Sequence, residues 1–292
     1  MRMGKYLKPF VPLLPSWLLT RAIRVRPALL DRVPAGRSLR WSNYLGDVVV
    51  WIDPANAIER KMIGGYEPSV LRAVERFVAA GSYCIDVGAN VGAVTLALAR
   101  QVGPSGRVLA IEPGPPYVAR LCRNLRANPR LANRVVVLPA GLSEAEGSLL
   151  WRPDPNHPFN AGLSQVHSTA VPGELPVAVT TLDAAVAWQG WKRVDFIKID
   201  VEGMELEVLR GARGTLKSLR PVVLFETLEI FREGHLAING ITDVFAEIEG
   251  FLRGLNYRLC DLRPDGSLQD VTAAALPDNT LAIPSDKTEP RP

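Results

Sequence analysis

The sequence predicts an α/β fold in which helices cover both faces of a mostly parallel sheet. From residue 83 onward, short apolar and β-branched runs alternate with amphipathic helical patterns, which is typical of a parallel sheet buried on both faces. The last two strand candidates are joined by a loop too short for a helix, so we expect them to pair antiparallel. At 292 residues, with 47% hydrophobic and 22% charged residues, the chain has the composition of an ordinary globular protein.

The predicted elements follow in order along the chain. A hairpin at 39–44 and 47–52 comes first, and a helix at 68–80 follows, where apolar residues recur at helical spacing. The strands of the main sheet are predicted at 83–87, 108–111, 135–138, 196–199, 222–225, 257–260 and 280–283. The helices between them are predicted at 91–101, 117–128, 204–219 and 244–252. The proline-rich stretch 148–180 is predicted as an inserted hairpin or flap.

Charge is distributed unevenly and divides the chain into two parts. Residues 1–40 hold nine Lys and Arg against one Asp, a local charge of +8, whereas the remaining 25 basic and 29 acidic residues give −4. We therefore predict a basic N-terminal extension over 1–40 and a single domain over 41–292. A basic amphipathic pattern within residues 1–26 leaves two interpretations open, contact with a membrane surface or packing on the domain as a lid or homodimer contact. The body has no basic stripe with interleaved aromatics, so we expect no nucleic-acid partner.

The cysteine and hydropathy patterns bear on the cellular compartment. The three cysteines are widely spaced and form no CxxC pair, which favours a reducing environment. No apolar run reaches the ~18 residues that a membrane-spanning helix needs. We therefore expect a cytoplasmic protein, membrane-associated only if residues 1–26 bind a membrane surface.

The first candidate site is a glycine turn between a strand and a helix. Asp86 stands two residues before Gly88, Ala89 and Asn90 follow, and Gly92 completes a Gly-x-x-x-Gly spacing. Glycines let a ligand approach the backbone, and the helix N-terminus points toward it. This is not the GxGxxG pattern of dinucleotide binding. A carboxylate at this turn would repel a pyrophosphate but attract the ammonium and sulfonium groups of S-adenosylmethionine (SAM).

The second and third candidates lie at the ends of other strands. Glu112 follows the next predicted strand, where an acid typically accepts hydrogen bonds from ribose hydroxyls, a device that NAD and SAM enzymes share. Further along, an apolar strand brings Lys198, Asp200 and Glu202 to its carboxyl end, where carboxylates are expected to serve a ligand. The next glutamate, Glu205, is expected to lie with Glu207 in the solvated first turn of the following helix.

These motifs together resemble the FkbM family of SAM-dependent methyltransferases. The resemblance covers roughly residues 60 to 285. It is carried by the ordered series Tyr66-Glu67-Pro68, Asp86-Val87-Gly88-Ala89-Asn90-Val91-Gly92, Glu112-Pro113, Gly141-Leu142-Ser143, Thr181-Leu182-Asp183 and Lys198-Ile199-Asp200-Val201-Glu202-Gly203. It implies the class I methyltransferase fold, a Rossmann-like sheet of seven strands with an antiparallel last strand. It also implies methyl transfer to oxygen, with hydroxyls of sugars, glycolipids or polyketide-type natural products as acceptors.

The resemblance further implies a cofactor site and a catalytic group. Asp86 and the glycine turn would hold the methionine part of SAM, Glu112 the ribose, and the turn from 140 to 143 would cover the adenine. The predicted cofactor-binding residues are Glu67, Asp86, Gly88, Ala89, Asn90, Gly92, Glu112, Pro113, Gly141, Leu142, Ser143 and Asp200.

A base is needed to remove the proton of the acceptor hydroxyl. Asp200 or Glu202 is the candidate base, Lys198 is a candidate for orienting it, and His235 is a candidate on the acceptor side. Mg²⁺ stays open as a second cofactor, since Asp200, Glu202 and Glu226, at the ends of adjacent strands, could supply some of its oxygen ligands. We favour a reaction without metal, because these residues do not clearly reproduce the site of catechol-type methyltransferases and the three histidines show no ligand spacing. Two other classes also stay open, an NAD-dependent oxidoreductase and a non-catalytic SAM-binding module.

Overall fold

The computed structural model describes residues 23, 37–54, 56–151, 163–164, 174–228 and 241–287. The first half contains β1 (Leu39–Tyr44), β2 (Val48–Ile52), α1 (Ala57–Gly64), α2 (Pro68–Phe77), β3 (Tyr83–Val87), α3 (Ala93–Gln101), β4 (Arg107–Ile111), α4 (Pro115–Arg126), α5 (Pro129–Ala132), β5 (Val135–Leu138) and β6 (Gly141–Leu142). The second half contains β7 (Gly147–Trp151), β8 (Leu163–Ser164), β9 (Leu175–Thr180), α6 (Leu182–Trp188), β10 (Phe196–Ile199), α7 (Glu205–Arg210), α8 (Arg213–Leu219), β11 (Val222–Glu226), α9 (Val244–Gly254), β12 (Tyr257–Leu262), β13 (Leu268–Asp270) and β14 (Asn279–Pro284).

The main sheet confirms the predicted α/β fold. Among the described residues its strand order is β13-β12-β14-β11-β10-β3-β4-β5. The five strands from β11 to β5 are mutually parallel, and β14 lies antiparallel between β11 and β12. This reversed strand is the one that the resemblance implies. The sheet has eight strands rather than the expected seven, because β13 pairs with β12 and extends the edge.

The side chains of each central strand pack into two separate apolar cores. Cys84 and Phe196 point into the apolar core on one face, while their neighbours Ile85 and Ile197 point into the core on the other. Successive side chains of a strand point to opposite faces, so a strand that is apolar throughout has to be covered twice. The continuous apolar runs of the sequence are thereby explained.

The point between β3 and β10 where the strand order reverses sets the position of the site. From β3 the chain moves outward through β4 and β5, and then returns to place β10 on the other side of β3. The connections therefore leave in opposite directions at this point. Ligands of open α/β sheets bind beyond the carboxyl ends of the strands at such a topological switch point.

Two helices differ from their predicted lengths. The helix expected at 68–80 ends at Phe77, because Val78 adopts extended backbone. The helix expected at 204–219 is interrupted between α7 and α8, where a Cβ on Gly211 would lie 2.1 Å from the backbone oxygen of Ser143. Asp183 restarts the helix by accepting hydrogen bonds from the backbone N–H groups of Gly214 (2.8 Å) and Thr215 (2.7 Å).

Helix α1 was not predicted at all. Its four apolar residues are interrupted by three consecutive charged ones, Glu59, Arg60 and Lys61, so the helical periodicity is weak in the sequence. The side chain of Asn56 caps it by accepting a hydrogen bond from the backbone N–H of Glu59. An Asn followed three residues later by Glu is a helix-start signal and could have located this element.

The extension and the flap fall largely outside the described residues. Ile23 is described, and it is buried in the same core as Cys84. The other residues of 1–26 lie outside the described ranges, so the membrane and lid interpretations of this segment stay predictions. Part of the predicted flap forms a small separate sheet in the order β6-β9-β7-β8. No helix within the described ranges is long and apolar enough to span a membrane.

Candidate active site

A cavity of about 230 Å³ opens beyond the carboxyl ends of β3, β4, β10 and β11. Of the predicted site residues, Glu67, Asp86, Gly88, Ala89, Asn90, Glu112, Pro113, Gly141, Leu142, Lys198, Asp200 and Glu202 line it. Gly92 and Ser143 are not among the lining residues, and the backbone N–H of Ser143 instead donates to the carbonyl of Thr180. His235 lies outside the described residues.

The glycines of the turn are needed for contacts within the protein. Gly88 has a φ of 76°, and a Cβ there would lie 1.8 Å from the backbone oxygen of Asp200. Gly92 has a φ of 91°, and its Cβ would lie 2.5 Å from Cδ1 of Leu121. Asp200 and α4 therefore occupy the space that a Cβ would need at these two positions. Gly88 also lines the cavity, so the approach of a ligand to its backbone stays a prediction.

Asp86 is fully buried at the floor of the cavity. Its Oδ2 accepts a hydrogen bond of 2.5 Å from the hydroxyl of Thr95. Its Oδ1 is buried without a hydrogen-bond partner and lies 4.0 Å from Nζ of Lys198. Burial raises the pKa of Asp86, and the charge of Lys198 and the Thr95 hydrogen bond oppose that shift.

Asn90 and Glu112 form the second part of the wall. The two oxygens of Glu112 accept from the backbone N–H groups of Asn90 and Gly114, each at 2.8 Å. Burial raises the pKa of Glu112 to about 7, although these two N–H groups favour the charged form. Each carboxylate oxygen keeps a second lone pair, so Glu112 can still accept from a ligand. The side-chain oxygen of Asn90 is buried without a partner.

A buried lysine organises the opposite wall. Lys198 Nζ lies 2.8 Å from Oδ2 of Asp200, whose side chain is 22% exposed. Burial alone would lower the pKa of Lys198, but Asp200 and Asp86 outweigh that effect and raise it. Lys198 is therefore a charged partner for two carboxylates, as the orienting role predicted for it requires.

The segment after β10 carries the remaining acids. Glu202 is exposed at the rim and has a φ of 56°, in the left-handed region. Its pKa is raised first by desolvation and then by the charge of Asp200. The expectation that Glu205 is solvated is wrong. Glu205 is buried and accepts hydrogen bonds from the backbone N–H groups of Val201 and Gly203, at 3.0 and 3.4 Å.

Lining residues that the sequence analysis did not name include Lys61, Tyr117 and Leu228. Tyr66 was named only within the family motif, and Glu226 only as a possible ligand of Mg²⁺. Tyr66 stands beside the predicted Glu67, which forms an ion pair of 3.0 Å with Lys61. Glu226 ends β11 as Glu112 follows β4, so its place after an apolar strand was the available signal. Its Oε2 is buried without a hydrogen-bond partner.

The described residues offer no evident metal centre. No group of three or more His, Cys, Asp or Glu within them is arranged so that it could hold a metal ion. Three acids of the cavity are instead held by other groups, Asp200 by Lys198, Glu67 by Lys61 and Glu112 by backbone N–H groups. The site thus combines buried oxygen acceptors with one buried cation, an arrangement that fits a cationic organic ligand with N–H and O–H donors.

Comparisons with known proteins agree on one family. A family model described as the methyltransferase FkbM domain matches residues 86–259. Methyltransferase sdnD of Sordaria araneosa is 32% identical over 174 residues, which are 50% of this chain and 66% of that protein. Hexuronic acid methyltransferase AglP of Haloferax volcanii is 29% identical over 139 residues, which are 48% of this chain and 53% of that protein.

A further relative and a solved structure extend the comparison. The 2-O-methyltransferase NoeI of Sinorhizobium fredii is 25% identical over 179 residues, 56% of this chain and 71% of that protein. Methyltransferase FkbM from Methylobacillus flagellatus, a solved structure, shares 19% identity at a TM-score of 0.42, covering 70% of this chain and 44% of that one. The matches to sdnD and AglP thus span between about half and two thirds of those proteins.

Proposed function

Because the chain belongs to the methyltransferase FkbM domain family, we propose that it transfers a methyl group from SAM to a hydroxyl oxygen of a small acceptor. When bound, SAM supplies a methyl group on a positively charged sulfur. The observation that carries the proposal is a pair of buried oxygens in the cavity wall, Asp86 Oδ1 and Asn90 Oδ1, that have no hydrogen-bond partner. Unpartnered buried acceptors cost about 1–3 kcal/mol each, and a ligand with cationic and N–H donor groups offsets that cost.

Each wall of the cavity has a part in holding the cofactor. Asp86 and Asn90 would accept from the amino-acid end of SAM, and Glu112 would accept from the ribose hydroxyls. Gly141 and Leu142 line the cavity just after β5, the strand next to β4, and would cover the adenine. Gly92 and Ser143 have no place in this arrangement, since neither lines the cavity.

Proton removal falls to the acids near Lys198. Asp200 and Glu202 stay the candidate bases. Asp200 is held by Lys198 at 2.8 Å, which fixes its orientation, while Glu202 stands free at the rim with a raised pKa. A positioned base typically contributes about 10²–10⁴-fold to the rate.

The acceptor class is inferred from the relatives. One of them is named for a hexuronic acid and another for 2-O-methylation, which favours a sugar hydroxyl here, free or in a glycolipid. A polyketide-type hydroxyl is the second choice. We also propose that substrate choice resides in residues 1–40 and 148–180, which flank the matched family region or interrupt it with proline-rich sequence.

Calorimetric titration with SAM, S-adenosylhomocysteine (SAH) and NAD⁺ tests the cofactor assignment. We expect the wild type to bind SAM and SAH and to ignore NAD⁺. Asp86→Asn should weaken SAM binding at least about tenfold, since it removes the buried charge while keeping the shape. Asp47→Asn is the matched control, because Asp47 is an exposed carboxylate that pairs with Arg100 outside the cavity. Binding of NAD⁺ without SAM would instead favour the oxidoreductase.

Formation of SAH over a panel of methyl glycosides and polyketide alcohols tests the reaction. We expect turnover with at least one sugar hydroxyl, and its loss in Asp200→Ala. Binding of SAM that survives Asp200→Ala, with no turnover on any acceptor by the wild type, would identify a non-catalytic SAM-binding module.

A further inference from the structure

We propose that Glu226 holds a proton in the cofactor-free protein, releases it to solvent when SAM binds, and then takes the proton of the acceptor hydroxyl. The inference rests on the proposed function and names Glu226, in place of the candidates Asp200 and Glu202, as the group that takes the acceptor proton. It makes the base available only when the methyl donor is in place.

The first argument is the layout of charge on one face of the sheet. In the β3–β10 pairing Lys198 stands opposite Asp86, and in the β10–β11 pairing Ile199 stands opposite Phe225. Asp200 follows Ile199 and Glu226 follows Phe225, so the two acids lie side by side at the carboxyl ends of β10 and β11. Lys198 is thus the buried cation shared by three carboxyl groups, and it lies closest to Asp200 and Asp86.

The second argument is that Glu226 forms no ion pair with a cation among the described residues. Its Oε2 is buried without a hydrogen-bond partner, although it lines the cavity. A protonated carboxyl group buries such an oxygen at far lower cost than a carboxylate does. A neutral Glu226, with its proton directed into the cavity, therefore accounts for the buried oxygen that has no hydrogen-bond partner.

Among the described residues, the acids around Glu226 favour its neutral form and Lys198 opposes them. On β10 it faces Asp200 and Lys198, and beyond β10 it faces Glu202 and Glu205. On its other side β14 offers Asn279, which carries no charge. Burial and then the three nearby acids raise the pKa of Glu226, and Lys198 opposes them only in part.

A cation entering this cavity reverses the balance. The positive sulfur of SAM adds the charge that the cluster lacks, so Glu226 loses its proton to solvent and becomes a carboxylate. During transfer the acceptor oxygen bonds to the methyl carbon, the electrons of the carbon–sulfur bond stay on sulfur, and the acceptor O–H proton passes to Glu226. SAH carries no positive sulfur, so the proton stays on Glu226 until the next SAM binds.

Calorimetry in phosphate, HEPES and Tris buffers measures the proton directly. The slope of the observed binding enthalpy against the ionisation enthalpy of the buffer gives the protons exchanged. At pH 7 we expect SAM to release about 0.5–1 proton more than SAH does. SAH is the appropriate reference, because it shares every ionisable group of SAM and lacks only the methyl group and its charge.

Two variants assign the proton to its residue. Glu226→Gln should abolish the SAM-minus-SAH difference, whereas Glu144→Gln, which removes an exposed carboxylate outside the cavity, should keep it. The proposal is overturned if Glu226→Gln keeps the difference in proton release between SAM and SAH, or if the wild type shows no such difference. Absence of SAM binding in the wild type refutes the proposed function itself, which is a separate result.

The pH dependence of wild-type SAM affinity gives a check that needs no variant. If binding releases one proton, the affinity for SAM relative to SAH should rise by up to about tenfold per pH unit over the range in which Glu226 is protonated. A ratio that stays constant from pH 6 to 9 overturns the proposal even if Glu226→Gln fails to fold.

Discussion

Replacing Gly88 by alanine should destabilise the protein through the contact between β3 and β10. At a φ of 76° a residue with a Cβ is strained by about 1–2 kcal/mol. The added Cβ would also lie 1.8 Å from the backbone oxygen of Asp200, which forces the two strand ends apart. Overpacking of this kind costs about 1–3 kcal/mol. We therefore expect Gly88→Ala to lower the free energy of unfolding by about 2–5 kcal/mol.

Two other glycines separate these contributions. Gly190 has a φ of 65° with nothing within 4 Å of its Cβ position, so Gly190→Ala isolates the backbone strain and should cost about 1–2 kcal/mol. Gly147 has the same open surroundings without a positive φ, so Gly147→Ala should be neutral or slightly stabilising. Urea unfolding followed by circular dichroism gives the free energies, provided that the m-value is unchanged. If Gly88→Ala loses no more stability than Gly190→Ala, the close approach of β3 and β10 is refuted.

Three further predictions concern single contacts. Arg120→Ala should lower the free energy of unfolding in urea by about 1–2 kcal/mol, because it leaves the buried carboxylate of Glu59 without its cation. Arg100, which pairs with exposed Asp47, is the control, and a smaller loss in Arg120→Ala than in Arg100→Ala would contradict this. Asp183→Ala should cost about 1–2 kcal/mol by uncapping α8, and Asp183→Asn should recover part of the loss. The folded-state pKa of Glu112 is raised to about 7, so the stability that it contributes is present below pH ~4.5, its unfolded value, and is lost as the pH rises through 7. Glu112→Gln should flatten the unfolding free energy over this range, and equal slopes in both proteins would contradict the raised pKa.

The strands could be predicted because their signal is local. The run from Tyr83 to Val87 matched the structure, since an uninterrupted apolar run bounded by turn residues has few alternatives to a buried strand. The reversed terminal strand was likewise available from the short loop before it. The break between α7 and α8 was not available, because its cause is the carbonyl of Ser143, about seventy residues away in the chain.

The same distinction between local and long-range signals applies to the residues of the site. Asp86 was found because it stands just before a glycine turn at the end of an apolar strand, and Glu112 and Asp200 because each directly follows an apolar strand. Both are local patterns. The burial of Glu205 was not predictable, since its first-turn position is equally typical of a solvated glutamate. Whether it meets water depends on the left-handed backbone at Glu202, which turns the chain so that N–H groups face it.

The contact of Gly88 with the carbonyl of Asp200 has a consequence for how this site can change over time. It makes the junction between the ends of β3 and β10 a main-chain contact, which substitutions at positions other than Gly88 leave in place. The rim is different, because Glu202, Leu228 and Lys61 contribute side chains and stand on separate segments. New ligand preferences are therefore accessible through rim substitutions that leave this junction intact, so one scaffold can diversify without being rebuilt.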